Sequence, residues 1–256
     1  MNNFCFVTTS YCDNCQEPSI NDIKAKFNID SDVSNIFVNF SNEFSPYNHI
    51  KIPAIGASRR KDLVYGKIFK LHEFLKKNIE GKYNYVCHFD FSDTVFCRSA
   101  TEMMNKFISE NREFLMCAEK PCWPYFDTVV RWGKPNTRLI NDDSKIANFL
   151  NSGVIIAKTA ILISLLEKLI KICLEVDIDF WDDQGVWQYY YNFVDNSLPI
   201  DFKSDYTVCT AFLKDENFIF EDNKIFVRNE WKSQPYIIHD NSSFSANLIH
   251  RYKLLI

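Results

Sequence analysis

The sequence predicts one α/β domain over residues 1–256, a mixed, mainly parallel sheet flanked by helices. Three observations carry this expectation. Apolar runs of strand length alternate with stretches of helical spacing through the first half of the chain. At 256 residues and 46% hydrophobic content, the chain can bury a sizeable core. With only 6 Gly and 8 Pro, no linker, internal repeat or low-complexity segment divides it.

The elements follow in order. Phe4–Thr9 and Ile36–Phe40 read as the first two strands, with a polar, weakly helical stretch between them. Residues 41–58, carrying Pro46, Pro53 and Gly56, read as loop. From Arg59 to Ile79, Leu63, Ile68, Leu71, Phe74 and Leu75 recur at helical spacing. Tyr83–Phe89 is a strand running into Asp90, and a helix over Ala100–Asn111 turns Met103, Met104, Phe107 and Ile108 inward. Phe114–Ala118 reads as a buried strand, residues 120–148 as irregular, and Leu150–Ala157 as another strand. Thr159–Leu174 is a helix with Leu162, Leu165, Leu166, Leu169 and Ile172 on its core face. A short helix covers Trp181–Phe193, a hairpin joins Phe218–Phe220 to Lys224–Val227, Pro235–His239 is a last strand, and a short helix closes the tail.

Charge and cysteine usage narrow the function. With 29 Lys+Arg against 33 Asp+Glu, the net charge of -4 argues against general nucleic-acid affinity, which needs clustered cations. Nine scattered cysteines read as reduced core residues rather than a disulfide framework. No early cations or long apolar run mark a signal peptide, and no stretch of about 18 uncharged apolar residues marks a membrane span. The expected compartment is the cytoplasm. Cys12 and Cys15 form a lone Cys-x-x-Cys, a pattern open to a redox or a half-zinc reading, but no second pair completes a zinc set.

The strongest local signal is Asp90-Phe91-Ser92-Asp93 at the exit of an apolar strand. Ligands of open α/β sheets bind outside the carboxyl ends of strands. If the chain turns at Phe91-Ser92, both carboxylates can face one divalent cation. Alternatively, Asp90 merely ends the strand and Asp93 caps the following helix. A third reading is the haloacid-dehalogenase-like phosphatase pattern Asp-x-Asp-x-Thr, from which Asp90-Phe91-Ser92-Asp93-Thr94 is one residue out of register.

Further motifs follow in order: Ala118-Glu119-Lys120-Pro121-Cys122-Trp123-Pro124, Leu150-Asn151-Ser152-Gly153, Asp182-Asp183-Gln184, and His239-Asp240-Asn241. The series, over roughly residues 60–250, resembles the metal-dependent GT-A glycosyltransferases, whose fold is Rossmann-like. The likeness is to the glycosyltransferase domain of the procollagen lysyl hydroxylases and the related collagen galactosyl- and glucosyltransferases.

The resemblance implies a UDP-sugar donor, UDP-glucose or UDP-galactose, held with Mn²⁺ by Asp90, Asp93 and His239. It implies donor contacts from Lys67, Asp90, Glu119, Trp123, Asn151, Ser152, Gly153, Gln184 and Asn241, with Val7, Thr8 and Thr9 matching the family's first strand. Asp182 and Asp183 become the candidate acid/base or sugar-orienting carboxylates. Two carboxylates and an imidazole suit Mn²⁺ better than Mg²⁺.

Plainer readings stand beside these: a solvated helix lysine for Lys67, core packing for Trp123, a turn for Asn151–Gly153, and a helix cap for Asp182 or Asp183. Arg59 and Arg60 are further candidates for phosphate or acceptor contact. The iron-dependent oxygenase part of the lysyl hydroxylases has no counterpart in these residues. Asp240 and Ser242 stand where relatives carry glycines, so collagen is not implied as the acceptor. The acceptor, glycan or protein, is open. So is a non-catalytic nucleotide-sugar-binding module on the same fold.

Overall fold

The computed structural model describes residues 3–10, 34–39, 49–51, 64–90, 93–121, 123, 147–176, 182–222 and 224–241. The Cys12/Cys15 pair, Arg59, Arg60, Leu63, the tail helix and most of residues 120–148 lie outside them. In chain order the elements are β1 (Phe4–Ser10), β2 (Ser34–Asn39), β3 (His49–Lys51), α1, β4 (Tyr85–Asp90), β5 (Thr94–Phe96), α2 (Ala100–Ser109), β6 (Phe114–Glu119) and β7 (Phe149–Lys158). They continue with α3 (Thr159–Glu175), α4 (Asp183–Phe193), β8 (Thr207–Cys209), β9 (Phe218–Glu221), β10 (Lys224–Val227) and β11 (Ile237–His239). Helix α1 is continuous: π-type turns at Tyr65–Lys70 and Leu75–Ile79 flank an α-helical turn at Leu71–Phe74.

Six strands form the main sheet in the order β3-β2-β1-β4-β7-β6. Strands β3, β2, β1 and β4 pair in parallel, while β7 runs antiparallel to both β4 and β6. The sheet is therefore mainly parallel, as the alternation predicts, and mixed, as the GT-A resemblance implies, with one reversed strand inserted between β4 and β6. Side chains of a strand alternate faces, and both faces are covered. Cys5, Val7 and Val86 pack under α1, α3 and α4, whereas Phe4, Phe6, Cys87 and Phe89 pack under α2. The apolar stripes behave as their spacing requires: Leu162, Leu165, Leu166, Leu169 and Ile172 are all buried on α3, as are Met103, Met104 and Phe107 on α2.

A second sheet of three short strands, ordered β5-β11-β8, was not legible in the sequence beyond β11. Its appearance corrects one reading. Asp93 does not cap the following helix, because β5 intervenes and Ser99 caps α2 by accepting from the Glu102 backbone N–H at 3.2 Å. β3, inside the expected loop, is likewise an addition, and β9 and β10 pair as the expected hairpin. Among the described residues, no helix is long and apolar enough to cross a membrane.

Candidate functional site

A cavity of about 530 Å³ opens beyond the carboxyl ends of β4 and β6, within the size range of small-ligand sites. It sits on the β4 side of the junction between β1 and β4, where the strand order reverses. Four elements meet there: the end of β4 with Asp90, the end of β6 with Glu119, the start of β7 with Asn151–Gly153, and the N-terminus of α4 with Asp182–Gln184.

The small sheet delivers the fifth contribution. β11 pairs antiparallel with β5, placing His239 opposite Thr94, and the Asp240 N–H donates to the Asp93 carbonyl at 2.7 Å. This pairing carries His239 back across the sequence to the acids. Its Nε2 lies 3.5 Å from Asp93 Oδ1 and 3.8 Å from Asp90 Oδ2. One ligand atom from each of the three residues lies within 4.8 Å of the others. Among the described residues, the buried atoms His239 Nε2 and Asp93 Oδ1 have no hydrogen-bond partner. Buried polar atoms are ordinarily paired, so two unpaired ones aimed at one point leave a position that a cation would satisfy. The donor set, two carboxylates and an imidazole, suits a divalent ion such as Mn²⁺.

The local electrostatics are mutually dependent. Burial opposes charge on His239, yet the neighbouring Asp93 carboxylate outweighs it and holds the imidazole well above its usual range. Burial likewise opposes ionisation of Asp93, and His239 reverses that, lowering the carboxyl. Asp90 is raised by burial against the pull of Lys67, whose Nζ lies 2.7–2.8 Å from both its oxygens. Lys67 also approaches Asp183 Oδ2 at 3.8 Å. Burial disfavours its charge, but Asp183 and Asp90 together raise it above the ordinary lysine value.

Behind the cations lies an amide frame. Glu119, nearly fully buried, accepts from Asn151 Nδ2 at 3.1 Å, from Asn241 Nδ2 at 2.7 Å and from Gln184 Nε2. Burial pushes its carboxyl to about 7 despite those three donors. Gln184 Oε1 in turn accepts from Asn151 Nδ2 at 3.0 Å and from the Ser152 N–H at 3.3 Å. Asn151 Oδ1 accepts from the Gly153 N–H at 2.8 Å. The Asn-Ser-Gly segment sits in a bulge of β7: the β6 register jumps from Met116↔Ile155 to Cys117↔Asn151. Gly153 is required there, because an added Cβ would lie 2.6 Å from His239 Nε2 and 2.7 Å from Nδ1, and closer still to Cε1. The close approach that this glycine permits is made to the histidine ring.

The two adjacent acids divide their tasks. Asp182 is the N-cap of α4: its Oδ1 accepts from the Gly185 N–H at 2.9 Å, and its Oδ2 accepts from Trp123 Nε1 at 2.7 Å. The capping reading thus holds for Asp182, whose carboxyl is raised to about 6 by burial and by Asp183. Asp183 accepts from Ser152 Oγ at 2.8 Å and approaches Lys67 Nζ at 3.8 Å. Burial raises it too.

The cavity therefore gathers Lys67, Asp90, Asp93, Glu119, Trp123, Asn151, Ser152, Gly153, Asp182, Asp183, Gln184, His239 and Asn241 from the residues singled out in the sequence. It does not gather Val7, Thr8 or Thr9. Val7 lies in the core, Thr8 Oγ1 donates to the Phe89 carbonyl at 3.0 Å, and Thr9 Oγ1 bonds His88 Nε2 at 3.0 Å. Pro121, Ala211 and Phe212 line the cavity without having been foreseen. Phe212 is 64% exposed with φ at 59°, a backbone state that a bulky residue rarely adopts and that no sequence motif signals. Cys209, whose thiol lies 3.3 Å from His239 Nδ1, also escaped the sequence reading.

Comparison with curated protein sequences yields no significant match. Among solved structures, the chain is similar to a glycosyltransferase involved in glycosylation of the major capsid of PBCV-1, at 10% identity and TM-score 0.46, covering 98% of each chain. It is also similar to the bifunctional glycosyltransferase WbbM in its apo structure, at 14% identity and TM-score 0.53, covering 96% of this chain but 47% of WbbM. The WbbM likeness supports a shared fold. The family model described as the PLOD GT domain matches residues 64–252. That span holds every residue lining the cavity, and the chain belongs to the PLOD glycosyltransferase-domain family, with a GT-A-like fold.

Proposed function

We propose that the protein is a metal-dependent glycosyltransferase that moves a hexose, glucose or galactose, from a UDP-sugar to a hydroxyl of a glycan or protein acceptor. The observation that carries this reading is the convergence of Asp90, Asp93 and His239, with two buried unpaired atoms, on one point of the cavity. The lining supports it. Asp90, Asp93, Glu119, Asp182 and Asp183 face Lys67 and His239, so an added divalent cation would supply the positive charge that a diphosphate needs.

Asp90, Asp93 and His239 would hold Mn²⁺, which when bound stabilises negative charge on a departing diphosphate as a Lewis acid. Lys67 restrains the Asp90 carboxylate and adds a second positive charge for phosphate oxygens. The Glu119–Gln184–Asn151 frame fixes the β7 bulge, so that Ser152 and Gly153 present a rigid edge to the donor sugar. Asn241, tied to Glu119, borders the same edge. Trp123, 44% exposed and anchored by Asp182, offers an indole face to sugar C–H groups. Asp183 accepts the acceptor hydroxyl's proton. Burial raises its carboxyl and so makes it a stronger base than an ordinary carboxylate. Asp182, with both oxygens engaged, positions Trp123 and starts α4.

The test is UDP release from UDP-glucose and UDP-galactose, with sugar transfer followed on a panel of glycan and hydroxyl-peptide acceptors, in Mn²⁺ and in chelator. The reading predicts Mn²⁺-dependent release that an acceptor accelerates. UDP binding without turnover of any donor would instead indicate a binding module. Phosphate release from a phosphomonoester with no nucleotide requirement would indicate a hydrolase.

A further inference from the structure

The rear edge of His239 faces two thiols that the proposed chemistry does not use. Cys209 stands directly opposite His239 on the parallel β8–β11 pair, with its Sγ 3.3 Å from His239 Nδ1. Cys117 Sγ, on β6, lies 3.2 Å from Cys209 Sγ and 3.7 Å from the Ala118 carbonyl oxygen. All three side chains are buried: Cys117 is 0%, Cys209 1% and His239 2% exposed. The ring's Cε1 edge is closed off by Gly153. Among the described residues, the imidazole therefore meets polar groups at a thiol edge, Nδ1, and an acid edge, Nε2.

An imidazole that gives one nitrogen to a cation is neutral and carries its single N–H on the other, and the partners of that second nitrogen decide how readily it does so. The sulfurs form a short hydrogen-bond chain that can run in either of two directions. In one, Nδ1–H donates to Cys209, Cys209 donates to Cys117, and Cys117 donates to the Ala118 carbonyl, so every hydrogen ends on an acceptor. Nε2 is then a bare lone pair facing Asp90 and Asp93. In the other, Cys117 donates to Cys209 and Cys209 to Nδ1. Nε2 then bears a hydrogen whose nearest acceptor, Asp93 Oδ1, is 3.5 Å away, beyond a good hydrogen bond. The first direction ends every hydrogen on an acceptor and leaves Nε2 free, and it is the one a cation between Nε2 and the two acids needs.

We propose that the Cys117–Cys209 thiol pair is a positioning device that holds His239 in its Nδ1–H form, presenting Nε2 as a ligand. The inference rests on the cation-binding reading of Asp90, Asp93 and His239 proposed above. Ligating histidines ordinarily direct the far N–H at a carboxylate, carbonyl or water. Here a thiol accepts it, and the carbonyl stands at the end of a two-sulfur relay.

The test measures Mn²⁺ binding directly, by the loss of the free-ion electron paramagnetic resonance signal on titrating the full chain. Cys209→Ser keeps an atom that accepts and donates, and should bind Mn²⁺ within about threefold of the unmodified chain. Cys209→Val fills the space without either function and should weaken binding about 10–100-fold, the usual cost of losing such a partner. Cys209→Ala repeats that loss with a smaller side chain, so a folding defect in one variant leaves the other to report. The imidazole-nitrogen modulation in the Mn²⁺ spin echo should persist in Cys209→Ser and fade in Cys209→Val. Equal affinity in the valine and unmodified chains overturns the proposal, as does a serine variant as weak as valine, which would make the thiol a packing group. If the unmodified chain binds no Mn²⁺, the cation reading falls first and takes this one with it, so the two failures are told apart.

Discussion

The six-stranded sheet and the three-stranded sheet of this protein do different work. Strands β1, β4, β6 and β7 of the large sheet run for 6–10 residues each and are almost wholly buried. Their side chains fill two apolar clusters on opposite faces. Strands β5, β8 and β11 of the small sheet have three residues each. Yet they set Asp93 beside His239 and place Cys209 behind it. The large sheet supplies stability and the ends of strands. The small one fixes the positions of Asp93 and His239 at the cavity. Disturbing each should therefore produce losses of different kinds.

The largest expected effect lies at the N-terminus of α4. Asp183→Asn should lower kcat by about 1,000-fold, within the roughly 10²–10⁴ range for loss of a general base. The nucleotide should still bind, because Asp183 is not one of the three converging ligand residues. Asp182→Asn should cost much less, since it retains an oxygen for the Gly185 N–H and leaves Asp183 in place. Steady-state kinetics on both variants decides it: equal losses would erase the division of tasks between the two acids.

Next comes a direct contrast of the sheets. Gly153→Ala drives a methyl into the His239 ring and should weaken Mn²⁺ binding by about 100-fold or more, the upper end of losses from disturbed ligand orientation. Leu166→Ala, on α3 beneath the large sheet, should cost about 2–5 kcal/mol of stability while the folded fraction keeps its Mn²⁺ affinity. Denaturant melts and metal titrations on the pair measure both. A glycine variant that binds Mn²⁺ normally would show that the ring has more freedom than the packing implies.

The smallest effect is a pH slope in the cation-free protein. Glu119 and Asp201 are raised by burial to about 7 and about 6, against the amide and backbone N–H groups that donate to them. Their folded-state values exceed the unfolded ones, so the folded state holds more protons between the two. Stability should therefore fall as pH rises from about 4.5 toward 7 through these groups, since ∂ΔG/∂pH is negative wherever the folded state binds more protons. Glu119→Gln should flatten the Glu119 part of this slope, read from thermal melts across the range. An unchanged slope would mean that the carboxylate is already ionised inside its amide frame.

The same contrast explains what the sequence revealed. The long strands and amphipathic helices were legible because burial imposes a period of 2 or 3.6 on residues such as Phe4–Val7 and Leu162–Ile172. The site residues were legible through local words at strand and helix ends: Asp90 to Asp93, Asn151 to Gly153, and Asp182 to Gln184. Thr94–Phe96 and Thr207–Cys209 were not, because three residues carry no period and their pairing partner, β11, is distant in the chain. For the same reason Asp93 read as a possible helix cap. Val7, Thr8 and Thr9 matched the family's first strand by sequence, but β1 pairing turns their side chains into the core and onto β4. Phe212 and the thiols behind His239 depend on backbone strain and strand neighbours that no motif encodes.

The central claim is that Asp90, Asp93 and His239 hold a divalent cation for a nucleotide diphosphate, and calorimetric titration of UDP into the protein tests it most directly. With saturating Mn²⁺ the account predicts stoichiometric binding that chelator abolishes and Asp93→Asn weakens by at least about 100-fold, or ~2.7 kcal/mol. UDP binding of equal strength in Mn²⁺, in chelator and in the Asp93→Asn chain would contradict it.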